Sequence, residues 1–249
     1  MIVYPNAKIN LGLNILRKRD DGYHEISSVF YPVKECVDIL EIIKSDTFEF
    51  TKSGIEIPDG ENLCAKAWKL LHTDFGIENV NIHLHKQIAV GAGLGGGSAD
   101  GSFTLKSLNE LFDLNLNNKE LEKYALLLGA DCPFFIDNTP KLVEGIGEKM
   151  TSVDLDLSDY EIRFINPEIH ISTKEAFSVV VPETPEKSVE ELIKLDVKEW
   201  KGKLKNDFED SFFEKYPQLE KIKEDLYNEG AVYASMSGSG SVFFSINLI

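Results

Sequence analysis

Residues 90–102 read VGAGLGGGSADGS, with six glycines ahead of a helical pattern in which Leu105, Leu108 and Phe112 share a face. Ordering a glycine costs more backbone entropy than ordering any other residue, so a cluster is worth keeping where side chains would be in the way. Two readings fit: a loose surface linker, or a loop that lets a ligand touch the main chain. The neighbours favour the loop. VNIHLH (80–85) alternates as a strand does, an amphipathic helix follows, and flexible linkers seldom join two such regular elements. Ser98 is a suitable N-cap for the helix. The free amides of its first turn, carrying about half a unit of positive charge, then form a cradle for phosphate.

The stretch contains a literal G-x-G-x-x-G at Gly91, Gly93 and Gly96. A dinucleotide site needs a second strand after the helix, closed by an acidic residue about twenty positions on. Here a second helical pattern (118–128) follows the first, so that reading fails. A P-loop needs Gly-Lys-Ser/Thr after its glycines, and the sequence gives Gly97-Ser98-Ala99. That fails too.

The 249 residues suffice for one large domain or two modest ones. A net charge of -16 argues against non-specific binding to nucleic acid or to an anionic membrane. Cys36, Cys64 and Cys132 are odd in number and widely spaced, which fits a reducing compartment and neither a disulfide framework nor a zinc site. No basic region precedes a long apolar run at the start, so no signal peptide is expected, and no window is long and apolar enough to span a membrane. The expected location is cytoplasmic.

Alternation predicts strands at Lys8–Leu16, Val33–Ile43 and Thr47–Thr51. ENLCAKAWKLLHTDFG (61–76) predicts a helix with Leu63, Ala67, Leu70 and Leu71 on one face and Gly76 as its stop. YEIRFI (160–165) reads as a strand, and Ser172 to Glu175 has the spacing of a capping box. One long helix is expected over Asp207–Asn228, then two strands joined by a glycine turn in AVYASMSGSGSVFFSI (231–246). A weak composition shift at GEKMTSVDLDLSD (147–159) suggests domains at 1–152 and 153–249. His83 and His85 share a strand face, and with no carboxylate or cysteine nearby in sequence they are read as a solvated face.

VGAGLGGGSADG resembles the central motif of the GHMP small-molecule kinases. PNAKINLGLNILRKRDDGYHEISSVF (5–30), LGADCPFFI (128–136), EGIGE (144–148) and SMSGSGSVFFSI (235–246) extend the similarity over essentially the whole chain. The resemblance implies an α+β protein of two domains with its active site in the cleft between them. It implies ATP as co-substrate and Mg²⁺ as its companion, with Ser98 the candidate ligand. Asn62, Lys86, Gly91, Ala92, Gly93, Leu94, Gly95, Gly96, Gly97 and Ser98 fall on positions that bind ATP.

The A-K-I-N and D-G-Y-H segments point to a branch with a cytidine-bearing acceptor. The resemblance implies that this acceptor is 4-diphosphocytidyl-2-C-methyl-D-erythritol, phosphorylated on its 2-hydroxyl in non-mevalonate isoprenoid synthesis. Asp131, by itself readable as a turn aspartate, falls on the catalytic aspartate. Lys8, by itself readable as an edge lysine, falls on the lysine beside it. Asn10, Tyr23, His24, Thr173 and Phe177 fall on substrate-binding positions, with Tyr23 and Phe177 as walls for the cytosine and His24 bonding its edge. A monomer or homodimer without nucleic-acid or membrane partners is expected. The chain departs from the pattern at Ala89, where proline is usual, and at Gly101, where alanine is usual. It also ends soon after the third glycine motif, where relatives commonly continue.

Overall fold

The computed structural model describes residues 1–58, 60 and 62–249, which form two compact units. One consists of residues 1–8, 32–90 and 95–139, the other of residues 9–31, 91–94 and 140–249. Glu61, the first residue of the stretch read as helical, lies outside the described residues.

Strands β1 (Ile2–Val3), β2 (Asn6–Lys18), β3 (His24–Val37), β4 (Ile39–Lys44) and β5 (Glu49–Gly54) come first. Helix α1 (Leu63–Phe75), strand β6 (Val80–Lys86) and helices α2 (Gly96–Leu111), α3 (Asn118–Leu128) and α4 (Phe134–Asp137) follow. The rest comprises β7 (Lys141–Gly145), β8 (Lys149–Ser152), β9 (Tyr160–Ile165), α5 (Thr173–Val179), α6 (Val189–Leu192), a 3-10 turn (Val197–Glu199), α7 (Phe208–Lys215), α8 (Pro217–Asn228), β10 (Tyr233–Met236) and β11 (Phe243–Leu248).

In the first unit the sheet order is β1-β4-β6-β5, with β5 parallel to β6 and α1 as the connection between them. The two-residue period of β6 turns Val80, Ile82 and Leu84 inward beside Leu40 and Ile42 of β4. They join Ala67 and Leu71 of α1, Leu105 and Leu108 of α2, and Leu121 and Ala125 of α3 in one core. Asn62 caps α1 by accepting from the Cys64 amide, and Gly76 at φ 66° ends it. A Cβ on Gly101 would stand 3.0 Å from Leu63 Cβ and 3.2 Å from Leu128 Cδ1, so this glycine lets α2 lie close to its neighbours.

The second unit contains the sheet β2-β3-β7-β8 and the three-stranded sheet β10-β11-β9. Its apolar core includes Ile15, Ala176, Phe208, Phe212, Leu219, Met236 and Phe243.

Four local expectations are corrected. The strand expected over Val33–Ile43 is interrupted at Asp38, whose buried carboxylate bonds to the residues after β6 and separates β3 from β4. The helix expected over Asp207–Asn228 is two helices, because Tyr216 leaves helical geometry (φ -130°, ψ 74°) and Pro217 opens α8. Proline lacks the amide that a continuous helix would need there. Ser98 is not the cap of α2: Gly95, in the left-handed region at φ 68°, takes that place and Ser98 lies in the first turn. Ser172 does accept from the Glu175 amide, but the Glu175 carboxylate turns to Lys215 at 2.5 Å and to Tyr216, leaving half a capping box.

Candidate active site

In the first unit β2 carries Lys8 into a buried position, its side chain 4% exposed, while Asp131 opposite is 37% exposed. Lys8 Nζ lies 3.8 Å from Asp131 Oδ2. Burial pulls the Lys8 ammonium below its usual value, against the attraction of Asp131. Asp131 stands between α3 and α4, and Ser102 Oγ of α2 fixes that segment by donating to the Cys132 carbonyl at 2.7 Å. Gly95 covers the lysine: a Cβ there would meet Lys8 Cγ and Phe135 Cζ, each at 3.0 Å. Lys8, Asp131 and the end of the glycine stretch are thus brought together.

Beneath the same loop Lys86 Nζ donates to Asp38 Oδ2 at 2.6 Å and to Asp100 Oδ2 at 2.7 Å. Asp38 Oδ1 accepts from the amides of Gln87 (2.6 Å) and Ile88 (2.9 Å). Burial pushes the Asp100 carboxyl up to about 7, with the charge of Asp38 adding and that of Lys86 opposing. Burial also works against the Lys86 ammonium, yet the two carboxylates hold it above its usual value. A Cβ on Gly96 would come within 2.9 Å of Lys86 Nζ. Gly97 is exposed, and a Cβ there would meet nothing. Ser98 is half-buried and faces the Cys132 thiol. Asn62 is engaged as the cap of α1.

In the second unit the stretch Gly91 to Leu94 packs on the turn between β10 and β11. Ser237 Oγ donates to the Gly93 carbonyl at 2.9 Å, and a Cβ on Gly93 would fall 1.9 Å from the Ser237 carbonyl oxygen. The turn is built on two buried side chains. Asn206 Nδ2 donates to the carbonyls of Met236 and Gly238, each at 2.8 Å. Glu209 Oε1 accepts from Met236 N at 2.7 Å and from Ser235 Oγ at 2.9 Å.

Asn10 is buried and donates to Ser28 Oγ at 2.9 Å. Tyr23 is exposed at the end of a turn closed by Arg19 N to Tyr23 O (2.8 Å) and by Tyr23 N to Asp21 Oδ1 (3.1 Å). The ring stacked on Phe177 is that of His24, at 5.1 Å and 22°. Phe208 supports Phe177 edge-on from another direction. Burial lowers the His24 pKa, with the charge of Lys18 adding, which favours the neutral ring. Thr173 opens α5 and its hydroxyl meets that of Ser239 at 3.3 Å. The substrate-binding positions expected from sequence therefore lie in the same unit as Gly91–Leu94.

Sequence reasoning passed over Asp38, Asp100, Ser102, Asn206, Glu209 and the role of Ser237. Asp38 alone left a sign, as the carboxylate in phase with Cys36, Leu40 and Ile42 in its alternating run. His83 and His85 bond to Thr51 and Ser53 across the sheet. Among the described residues no three His, Cys, Asp or Glu side chains gather as a metal cage.

Comparison with known proteins adds to this geometry. The family descriptions "GHMP kinases N terminal domain" and "GHMP kinases C terminal" match residues 62–138 and 187–246. The 4-diphosphocytidyl-2-C-methyl-D-erythritol kinase of Bacteroides fragilis is 51% identical over 253 residues, covering 99% of this chain and 92% of the relative. That of Parabacteroides distasonis is 50% identical over 248 residues, covering 99% and 91%. A crystal structure of 4-(cytidine 5'-diphospho)-2C-methyl-D-erythritol kinase superposes with a TM-score of 0.84 at 30% identity, over 99% of this chain and 90% of that one.

Proposed function

We infer the reaction of a chain that belongs to the GHMP kinases and, within them, to the 4-diphosphocytidyl-2-C-methyl-D-erythritol kinases. It moves the γ-phosphoryl group of ATP to the 2-hydroxyl of 4-diphosphocytidyl-2-C-methyl-D-erythritol, a step of non-mevalonate isoprenoid synthesis. The observation that carries its chemistry is the buried Lys8 ammonium 3.8 Å from Asp131, under the bare backbone of Gly95.

Phosphoryl transfer asks for alignment and charge stabilisation more than for covalent work. Asp131 accepts the proton of the 2-hydroxyl as its oxygen bonds to the γ-phosphorus. The bond from that phosphorus to the β,γ-bridging oxygen breaks, and ADP leaves with the electron pair. Lys8 balances the negative charge that develops, in a place where burial strengthens electrostatic attraction. The amides of the glycine stretch, from Gly91 to Ser98, hold the phosphates of ATP.

The Ser98 hydroxyl, together with phosphate oxygens of ATP, would hold Mg²⁺, which would supply neutralisation of phosphate charge. The donor set fits such an ion, because Mg²⁺ on a nucleotide needs one or two protein oxygens and no dedicated cage. Tyr23 and Phe177 enclose the cytosine once the His24 ring, stacked on Phe177 here, turns to bond the edge of the base, and Asn10 and Thr173 steady the remainder of the acceptor. Asn62 and Lys86 support the nucleotide site through α1 and the loop. The unpaired cysteines suit a reducing compartment, and we place the protein in the cytoplasm.

The test is to incubate the protein with ATP, Mg²⁺ and 4-diphosphocytidyl-2-C-methyl-D-erythritol and read the product by phosphorus NMR. A new monoester resonance coupled to the 2-position carbon is expected. A monoester elsewhere on the erythritol, or ATP hydrolysis alone, would overturn the reading.

A further inference from the structure

The side chains of Asp38, Lys86 and Asp100 are at most 3% exposed and meet at one ammonium. Asp38 ties this cluster to the entry of the glycine stretch, because its other oxygen accepts from Gln87 N and Ile88 N. Its own amide donates to the Pro5 carbonyl at 2.8 Å, which anchors it from the side of β2. Asp100 ties the cluster to the exit, since it belongs to α2. Lys86 Nζ presses against Gly96, the first residue of that helix. The loop leaves β6 and enters α2 over a single buried set of charges.

Stability does not explain this arrangement. A buried ion pair roughly breaks even against well-packed apolar side chains, and a second carboxylate on one ammonium crowds two like groups together, which adds to burial in pushing Asp100 up. Asp100 Oδ1 is buried with no hydrogen-bond partner among the described residues, a further cost. What the cluster does supply is direction: rigid, charge-assisted bonds of 2.6 to 2.9 Å that hold the two ends of an otherwise glycine-rich segment.

We propose that Asp38, Lys86 and Asp100 are positioning residues for the phosphate loop, a clamp on its entry and exit that aims the amides of Gly95 to Ser98 at the nucleotide. Lys86 acts on ATP through the loop and does not touch it. This rests on the kinase reading above, since it concerns the nucleotide which that reading assigns to the loop.

A non-hydrolysable ATP analogue with Mg²⁺ is titrated calorimetrically into wild type, Asp100→Ala and Asp100→Asn, with Kd for the cytidyl substrate measured alongside. In Asp100→Ala the Lys86–Asp38 pair survives but the exit is released. Loss of a charge-assisted bond predicts a rise in nucleotide Kd of about tenfold, with substrate Kd changed less than about twofold. Asp100→Asn still accepts from Lys86 and recovers most of the affinity. A purely structural role would weaken both ligands together or neither, and would overturn the clamp. So would nucleotide binding in Asp100→Ala that equals or exceeds wild type, the result expected if a freed Lys86 bound phosphate directly.

If Asp100→Ala does not fold, Asp38→Asn carries the test. It keeps an acceptor for Gln87 and Ile88 but loses its charge, and a nucleotide Kd about threefold higher is expected. An unchanged Kd overturns the proposal. Wild type that binds the analogue but phosphorylates no alcohol would sink the kinase reading and leave the clamp to stand on the variants. Wild type that binds no nucleotide would sink both.

Discussion

At the residue scale the proposed chemistry divides between a lysine that touches little water and a carboxylate that is over one-third exposed. The exposed partner can reach a hydroxyl, and the buried one can only lend its charge. Asp131→Asn keeps the shape and loses the base, so kcat is expected to fall by about 10²- to 10⁴-fold with little change in nucleotide Kd, read by single-turnover kinetics. A variant with near-normal kcat across pH would leave Asp131 as an orienting group. Only the ammonium form of Lys8 stabilises charge, and burial lowers its pKa from 10.5. Raising the pH therefore removes a needed proton, and kcat should fall along an alkaline limb centred below 10.5. Lys8→Arg, charged throughout, should lack that limb. Tyr23 is exposed and bonded within its own turn, so Tyr23→Ala should act on the acceptor alone. Its KM is expected to rise about tenfold while KM for ATP holds, the size of one lost aromatic contact.

At the scale of elements, the glycine stretch was legible because its reason is steric. A Cβ at position 93 would strike backbone at 1.9 Å and one at 95 or 96 would crowd side chains at 3.0 and 2.9 Å, and the cluster of glycines announces that directly. Gly93→Ala would drive a methyl into the Ser237 carbonyl at 1.9 Å while holding alanine at φ 78°, so nucleotide binding should be largely lost. The scaffold under the stretch was not legible. Asp38 and Asp100 lie 62 residues apart in sequence and meet at Lys86, and no local pattern encodes such a meeting. Asn206 is similar, an ordinary polar residue by sequence that proves to hold two carbonyls of a distant turn. Asn206→Ala takes the amide donor from both carbonyls, leaving that of Met236 only a long contact from Ser235 Oγ at 3.5 Å, and should cost about 2–3 kcal/mol in denaturant unfolding. Element ends were misread where one residue overrides a pattern, as Pro217 splits a helix and Asp38 a strand.

For the whole molecule, the motifs outran the periodicity. Alternation and helical spacing gave most of the strands and helices around the loop, but nothing in them shows that both units are assembled from separated segments of chain. The paired segments A-K-I-N and D-G-Y-H, at one end of the sequence, pointed to the acceptor that relatives at 50–51% identity bear in their names. In the proposed reaction an acidic chain of net charge -16 would hold its anionic ligands by local means: backbone amides, one buried lysine and aromatic faces. On that reading cytidine recognition is the feature that separates this protein from other kinases of the same fold. The most direct test is ADP release with ATP and Mg²⁺ across four alcohols: 4-diphosphocytidyl-2-C-methyl-D-erythritol, free methylerythritol, mevalonate and homoserine. Turnover with the cytidyl alcohol and none above background with the other three is the predicted result. Comparable turnover with any alcohol lacking the cytidyl group would contradict it.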